Sequence, residues 1–167
     1  TLSLPYFDTR YSFTNFLLSS AKSTSISGMS SRFISMNLSK INPYTHVVRF
    51  NGSANAGHTV IHNNKKFITH QIPAGVFNNI KSIIGPGCVL NPQKFLNEIK
   101  YLEDNGLNCR DLIKVAYNTH IITDEHIKND DKGLNIGTTK SGNGGAYRDK
   151  SARTGIRAEK IEELKPY

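Results

Sequence analysis

The chain has 167 residues, of which 37% are hydrophobic and 20% are charged, a composition that supports one folded domain with a sizeable core and excludes a disordered tail. No stretch approaches the roughly 18 consecutive apolar residues that a membrane helix needs, which excludes an integral membrane protein. Lysine and arginine number 21 against 13 acidic residues, and the net charge of +8 favours a partner that carries phosphate: a nucleic acid, a nucleotide or an anionic membrane surface.

Residues 1–42 differ in composition from the rest of the chain. They contain 11 Ser and 4 Thr, with four basic residues against a single acid, Asp8. The hydroxyl groups compete for backbone hydrogen bonds, and neither helical nor strand periodicity is present, so we predict a disordered leader outside the folded domain. A basic, serine-rich, acid-poor segment is also typical of an organelle transit peptide, and this alternative stays open.

The two cysteines indicate a cellular compartment. Cys88 and Cys109 lie far apart and outside any C-x-x-C pair, which suits a reducing environment and gives neither a zinc site nor a disulfide framework. We therefore expect a cytoplasmic protein, or an organellar one if residues 1–42 are a transit peptide.

The folded domain is predicted over residues 43–167 and begins with short strands. Residues 46–50 are rich in β-branched side chains and predict a strand. Residues 59–62 and 67–72 flank a polar turn and predict a hairpin. Residues 81–84 predict another strand, which we expect to end at the glycines and proline of 85–87.

A helix with clear end signals follows these strands. Asn91 can cap it, Pro92 occupies the first helical position, and Gly106 follows its end. Its apolar residues share one face: Phe95, Leu96, Ile99 and Leu102. Further strands are predicted at 112–117 and 120–123, and the strand–helix–strand order favours a crossover unit in a partly parallel sheet.

A loop of small residues, 51–57, leads from the first strand to His58 and Thr59. Small residues let the backbone approach a ligand closely, and glycine allows consecutive amides to face an anion. An imidazole such as that of His58 titrates near neutral pH, and Thr59 adds a hydroxyl group. The pattern alone also fits an ordinary turn with an exposed histidine.

A second loop, residues 137–145, lies in the polar C-terminal part of the chain. Thr138, Thr139, Lys140 and four glycines can cradle phosphate, although their order is not that of a Walker A loop. A flexible linker is the alternative. The basic stretch 150–157 follows, where arginine can bind phosphate bidentately or belong to a solvated face.

The spacing of the remaining polar residues does not indicate a ligand-binding site. Asp130 and Asp131 are predicted to lie in a solvated turn, and residues 159–165 predict a short helix. The basic cluster is not interleaved with aromatic residues, so we expect no nucleic-acid partner, and we also expect no membrane association.

Four segments, read in order, resemble the adenylosuccinate synthetase family. They are VVRFNGSANAGHTV at 47–60, QIPAGVF at 71–77, SIIGPGCVLNP at 82–92 and IGTTKSGNGGAYRDKSARTGIR at 136–157. The resemblance implies that residues 43–167 form a partial domain of this family. The implied α/β fold is P-loop-NTPase-like in part, with a mixed, mostly parallel sheet, flanking helices and a hairpin.

The resemblance also implies an activity, that of a GTP-dependent carbon–nitrogen ligase in AMP biosynthesis. The family condenses inosine monophosphate (IMP) with aspartate and uses GTP with Mg²⁺. It phosphorylates the purine 6-oxygen, and aspartate then displaces the phosphate. Phosphorylation is needed because a carbonyl oxygen is a poor leaving group, and phosphoryl transfer depends mostly on positioning and charge neutralisation.

The family's roles can be carried onto residues of the first loop. His58 resembles the general acid, which hydrogen-bonds the reacting oxygens. The carbonyl of Gly57 resembles a magnesium ligand. Gly57, His58 and Thr59 resemble the segment that contacts GTP.

Further residues resemble the IMP site. This implied site comprises Asn55, Ala56, Gly57, His58, Thr139 and Arg153. Thr139 resembles a ligand of the IMP phosphate. Arg153 resembles the arginine that reaches into the neighbouring subunit's site, which implies a homodimer.

The sequence also departs from the family pattern. The family's G-D-E-G-K-G-K phosphate loop, whose aspartate is the catalytic base, has no counterpart here, since the only glycine before Gly52 is Gly28. Asn143 and Gly145 stand where the family usually has an apolar residue and proline, and we expect a looser loop there. The 167 residues also lack the family's second half. We therefore expect them to be inactive alone; the alternative is a nucleotide-binding protein without turnover.

Overall fold

The computed structural model describes residues 25–27, 45–132 and 138–167, which form a mixed α/β structure. Five strands in these residues form a parallel sheet. They are β1 (Ser25–Ser27), β2 (His46–Gly52), β5 (Lys81–Leu90), β6 (Ile113–Val115) and β7 (His120–Ile121). The sheet order is β1–β2–β5–β6, and β7 pairs with the carboxyl end of β5. The predicted α/β class with a mostly parallel sheet is confirmed.

Most of the predicted leader falls outside the described residues. Within positions 1–42 only Ser25–Ser27 is described, and it pairs with His46–Val48 of β2. Among the helices of the described residues, none has the length and apolar character needed to cross a bilayer.

The predicted hairpin is present as β3 (His58–His62) and β4 (Lys65–Thr69). Its turn is shorter than predicted because Lys65 and Lys66 belong to the second strand, which ends at Thr69. The turn consists of Asn63 and Asn64, with φ angles of 49° and 59°. Two consecutive left-handed residues match the right-handed twist of the flanking strands, and asparagine tolerates this conformation well.

Strand β5 continues through Gly85–Gly87, where the sequence predicted its end. A Cβ atom on Gly87 would lie 1.8 Å from the carbonyl oxygen of Phe50. The register of β2 against β5 shifts between Arg49 and Asn51, where Gly85 and Pro86 of β5 lie opposite Phe50 alone, which marks a bulge in β5. Glycine is therefore needed for close strand approach at this bulge and does not terminate the strand.

The predicted helix is confirmed as α1 (Pro92–Asp104). The side chain of Asn91 caps it by accepting a hydrogen bond of 2.9 Å from the Lys94 N–H, and Gly106 follows with a φ of 84°. Buried residues of α1 pack into the core beside two of the strands. This core includes Ile72, Ile84, Phe95, Ile99, Leu102 and Ile113.

The polar C-terminal part contains two helices that the sequence did not predict, α2 (Asp124–Lys132) and α3 (Asn143–Ala152). Helix α3 includes the last three positions of the predicted glycine-rich loop. The short helix predicted at 159–165 is replaced by two 3₁₀ turns, Ala158–Lys160 and Glu162–Leu164. Tyr167 is buried against Phe95, with ring centroids 5.3 Å apart.

Candidate functional site

The first loop leaves the carboxyl end of β2, where a buried arginine fixes its course. Arg49 is 4% exposed, and its guanidinium donates hydrogen bonds to the carbonyl oxygens of His70 and, at 2.7 Å, Ser53. Burial lowers the pKa of Arg49 from its ordinary value, with partial compensation from nearby groups. A guanidinium stays charged in proteins, so these are charge-assisted hydrogen bonds that hold the start of the loop in place.

The tip of this loop faces solvent. Asn55, Ala56 and Gly57 are exposed, whereas His58 is half-buried at the start of β3. A Cβ atom on Gly57 would lie 3.2 Å from Nε2 of His70, so a larger residue would require the His70 ring to shift by a few tenths of an ångström. The exposed tip can therefore meet a ligand, and its glycine sits against the hairpin at close range.

The second loop is anchored to α2 by Asp130. The carboxylate accepts a hydrogen bond of 2.5 Å from the Thr138 hydroxyl and one of 2.9 Å from the Gly142 N–H. The Thr138 contact, followed by the backbone N–H groups, lowers the pKa of Asp130. The prediction of a solvated turn is wrong for Asp130, which lies on a helix and holds the loop; the side chain of Asp131 is not among those described.

Two glycines allow α3 to approach α2 closely. Gly142 has a φ of 71°, and a Cβ atom there would lie 2.8 Å from the Ile127 nitrogen. A Cβ atom on Gly145 would lie 3.0 Å from Cδ2 of the buried His126. Gly145, expected to loosen the loop, thus lies in the packed first turn of α3.

His126 joins the two helices in a defined tautomer. Its Nδ1 accepts a hydrogen bond of 3.1 Å from the Thr123 N–H, which leaves Nε2 to donate to Asp149 at 2.9 Å. This hydrogen bond is the largest cause of a lowered pKa at Asp149. The imidazole therefore links α2 to α3, the helix that follows the second loop.

The structure brings the two loops together. The side-chain amide of Asn55 in the first loop donates a hydrogen bond of 2.5 Å to the hydroxyl of Thr139 in the second. Both residues are exposed, so the contact lies at the surface where a ligand can reach it. Two residues predicted for one nucleotide site are thus neighbours in the fold.

Arg153 occupies a different place from the two loops. It ends α3 with a left-handed φ of 62° and is exposed. Together with Arg157 and Lys160 it lines an open groove of about 470 Å³ formed by residues 153–161. The ten residues of α3 separate Arg153 from the second loop by about 15 Å along the helix axis, so Arg153 does not join the pair formed by Asn55 and Thr139.

Several residues that shape the site were not identified from the sequence. The Tyr147 hydroxyl contacts the backbone of Gly52, Asp130 anchors the second loop, and Arg49 anchors the first. Tyr147 lies within a segment that carries the family resemblance, but nothing in the sequence showed what its hydroxyl touches. Arg49 lies in an otherwise apolar strand. An arginine within such a segment was a signal in the sequence, because a charge buried there needs hydrogen-bond partners.

The chain therefore has a parallel α/β fold with two small-residue loops that meet near the carboxyl ends of its strands, a class of arrangement used for nucleotide binding. A sequence model described as adenylosuccinate synthetase matches residues 39–166. The chain belongs to the adenylosuccinate synthetase family. The match extends beyond the segment from Val47 to Arg157 that carried the resemblance.

Individual relatives agree with this assignment. The chain is 45% identical to the adenylosuccinate synthetase of Borrelia turicatae over 126 residues, which cover 72% of this chain and 29% of that protein. It is 41% identical to that of Fusobacterium nucleatum, over 73% of this chain and 30% of that protein. The chain thus spans less than a third of these curated relatives.

Solved structures show the same relationship. The fully ligated adenylosuccinate synthetase of Plasmodium falciparum matches with a TM-score of 0.64 and 36% identity, over 77% of this chain and 31% of that one. The succinoaminodeoxyadenylate synthetase of cyanophage S-2L matches with a TM-score of 0.57 and 23% identity, over 75% and 36% of the two chains. The second likeness supports the fold alone.

Proposed function

We propose that the two loops form the nucleotide-phosphate part of an adenylosuccinate synthetase site. In the family reaction, the γ-phosphoryl group of GTP is transferred to the 6-oxygen of IMP, and the amino group of aspartate then displaces the phosphate. In this proposal IMP lies across the tips of the two loops, and GTP lies beside Gly57, His58 and Thr59. The observation that supports it most directly is the hydrogen bond between Asn55 and Thr139.

That contact favours a phosphate ligand for two reasons. It presents an amide and a hydroxyl group at the surface, both of which hydrogen-bond phosphate oxygens. It also lies a few residues before α3, whose N-terminal N–H groups favour an anion. Ala56, between Asn55 and Gly57, has no side chain beyond Cβ to obstruct a nucleotide.

His58 is proposed as the general acid. It is half-buried at the first position of β3 and directly follows the exposed Gly57. A neutral imidazole can donate a hydrogen bond, and an imidazolium can deliver a proton, to the 6-oxygen as charge develops there during phosphoryl transfer. Its position on a strand of the hairpin would keep this group in a fixed direction.

Mg²⁺ is proposed to bind at the carbonyl of Gly57. In the described residues, no group of three or more His, Cys, Asp or Glu side chains is placed to hold a metal ion. Mg²⁺ usually binds one or two carboxylates together with substrate phosphates and water, so the carbonyl oxygen of Gly57 would supply only one of its ligands. When bound, the ion would neutralise charge on the transferred phosphoryl group.

Arg153 is proposed to act across a homodimer. It is exposed at the opposite end of α3 from the second loop, in a groove that also carries Arg157 and Lys160. A guanidinium there can extend to the phosphate of IMP bound by a second subunit, with two parallel hydrogen bonds. A cytoplasmic location remains the expectation for this protein.

Calorimetric titration of the 167-residue chain with IMP tests the proposal. We expect saturable binding, and binding of inosine at least about tenfold weaker, because charge-assisted hydrogen bonds to phosphate are worth more than about 1.4 kcal/mol. Absence of heat with IMP, in a chain shown to be folded by circular dichroism, would contradict the proposed function.

A coupled assay separates the ligase from a nucleotide-binding protein without turnover. The 167 residues contain no G-D-E-G-K-G-K stretch, and its aspartate is the family's catalytic base. We therefore expect these residues alone to bind IMP but to form no adenylosuccinate from IMP, aspartate and GTP. GTP-dependent product formation by the isolated chain would show that the missing base is supplied in another way.

A further inference from the structure

Tyr147 makes a contact that the proposed chemistry does not use. Its hydroxyl accepts a hydrogen bond of 3.2 Å from the Gly52 N–H and donates one of 3.0 Å to the Gly52 carbonyl oxygen. The carbonyl oxygen of Gly87 in β5 lies 3.4 Å from the same hydroxyl. One phenol group on α3 therefore reaches the end of β2 and an interior residue of the adjacent strand β5.

The position of Gly52 gives this contact its importance. Gly52 is the last residue of β2, is buried and has a φ of 118°, which favours glycine. It follows the bulge at which β2 shifts its register against β5. The backbone direction at Gly52 therefore sets where the exposed tip of the first loop lies, including Asn55, and how the chain continues to His58 at the start of β3.

Tyr147 is suited to hold this position. It is half-buried on the second turn of α3, the helix that follows the second loop. Burial raises the pKa of Tyr147 above its ordinary value, so its hydroxyl keeps the proton that it donates to Gly52. The ammonium of Lys150, 5.7 Å from the centre of its ring, also donates a hydrogen bond of 2.6 Å to the Pro86 carbonyl. This second link fastens α3 to β5 beside the phenol.

The two loops are thus joined at two levels, by Asn55 and Thr139 at their tips and by Gly52 and Tyr147 at the base of the first loop. We infer that Tyr147 is a positioning residue, whose hydroxyl holds the first loop in place relative to the second so that both meet the same nucleotide phosphate. The inference rests on the proposed function and adds a residue to which that function assigns no role.

The variant Tyr147→Phe removes the hydroxyl and keeps the ring. Tyr117→Phe is the matched control, because Tyr117 is 68% exposed. For Tyr147→Phe we expect IMP affinity to fall roughly 3–10-fold in calorimetry, the usual effect of one or two hydrogen bonds. We expect no change in affinity for Tyr117→Phe.

Amide hydrogen exchange, followed by NMR without ligand, separates positioning from general destabilisation. In Tyr147→Phe, exchange in residues 51–57 should accelerate about 3–10-fold, while amides of α1 keep their wild-type rates. Uniform acceleration over the whole chain would assign Tyr147 to stability alone and overturn the inference. Unchanged exchange in residues 51–57 would overturn it as well.

The outcomes distinguish this inference from the proposed function. If the wild-type chain binds IMP and Tyr147→Phe binds it equally well, the inference fails and the proposed function stands. If the wild-type chain does not bind IMP, the proposed function fails, and the exchange rates still decide whether Tyr147 holds the loop. If Tyr147→Phe does not fold, the wild-type Gly52 amide decides: exchange as fast as at the exposed Gly57 overturns the inference, and strong protection supports it.

Discussion

The side-chain amide of Asn55 donates a hydrogen bond to the hydroxyl of Thr139 over 2.5 Å, although 84 positions separate the two residues in sequence. Both residues are exposed, so this hydrogen bond adds little to the stability of the fold. Its importance lies in the geometry that it creates, because it joins the tips of two loops that enter the proposed site from different parts of the chain.

The contact between Asn55 and Thr139 can be tested by a double-mutant cycle. We expect the substitutions to weaken IMP binding and to leave the free energy of unfolding nearly unchanged. Asn55→Ala and Thr139→Val should each weaken IMP binding by roughly 3–10-fold, since each removes a polar group offered to phosphate. The double variant should lose less than the product of the two effects, because the residues are in contact. Calorimetry measures the affinities for IMP. The free energy of unfolding, measured with urea, should change by less than about 0.5 kcal/mol.

Asn105→Ala provides the control for this cycle. Asn105 is exposed at the far end of α1, and its side chain donates a hydrogen bond of 2.8 Å to the Tyr101 carbonyl. The substitution Asn105→Ala should not affect IMP affinity. Strictly multiplicative effects at Asn55 and Thr139 would indicate that the two loops contribute to binding independently.

Glu98 is expected to be essential for stability. Its carboxylate is 8% exposed and accepts hydrogen bonds of 2.8 to 3.2 Å from three consecutive backbone N–H groups, those of residues 70–72. Glu98→Ala leaves these donors without their acceptor, at a cost of about 3 kcal/mol or more. Urea unfolding measures the loss.

Glu103→Ala is the matched control on the same helix. Glu103 forms a solvent-accessible ion pair of 2.9 Å with Arg110, and such pairs contribute about 0–1 kcal/mol. Equal losses in the two variants would mean that the carboxylate of Glu98 does not hold residues 70–72 in place. The comparison therefore contrasts a buried carboxylate with a solvent-accessible one on the same helix.

The sequence predicted the features that depend on local signals. The end signals Asn91, Pro92 and Gly106 defined α1, and the Asn63–Asn64 turn of the hairpin could be placed to within two residues. The same rules failed at Gly85–Gly87, because the close approach of Phe50 that requires glycine there is a property of the assembled sheet. A local rule reads glycine and proline as a break and contains no information about the neighbouring strand.

In the candidate site, too, local features were predicted from the sequence and long-range contacts were not. The two loops were recognisable because small residues and hydroxyl groups cluster in the sequence. Asp130 and Tyr147 were not recognised, because each acts through a contact distant in sequence, Tyr147 with a residue 95 positions away. Helix α2 was missed because only one described residue of its polar sequence, His126, is buried.

We expect a substitution at Asn143 to stabilise the fold. Both polar atoms of its side-chain amide are buried and have no hydrogen-bond partner among the described residues. Asn143→Leu should raise the free energy of unfolding by about 1–2 kcal/mol, because it removes the cost of burying an unpaired amide. The family usually has an apolar residue at this position, which agrees with an apolar environment.

Asn129→Leu controls for helix propensity, since Asn129 is an exposed residue of α2. Leucine forms helices better than asparagine at either position, by about 0.5 kcal/mol or less, so only the excess at Asn143 reports the buried amide. If Asn143→Leu and Asn129→Leu gained equal stability in thermal and urea unfolding, the result would contradict an unpaired buried amide at Asn143.

His120 predicts a loss of stability on mild acidification. Burial, followed by the positive charges of Lys150 and Arg157, lowers the pKa of His120 below its ordinary value of 6.5. The unfolded chain then binds more protons than the folded chain, so stability is greatest above pH 6.5 and falls as the pH drops through that value. The lowered pKa values of Asp130 and Asp149 act in a separate window, because their stabilisation is lost only below the ordinary carboxylate value of 3.8.

His120→Gln isolates this effect. Urea unfolding between pH 8 and 5 should show that the stability of the variant relative to wild type increases steadily as the pH falls, because the variant has no imidazole to protonate. Lys150→Met should reduce the slope in part, since it removes one of the two repelling charges. If wild type and His120→Gln gave parallel curves over this range, the imidazole would titrate alike in the folded and unfolded chains, and the pH dependence would have to come from other groups.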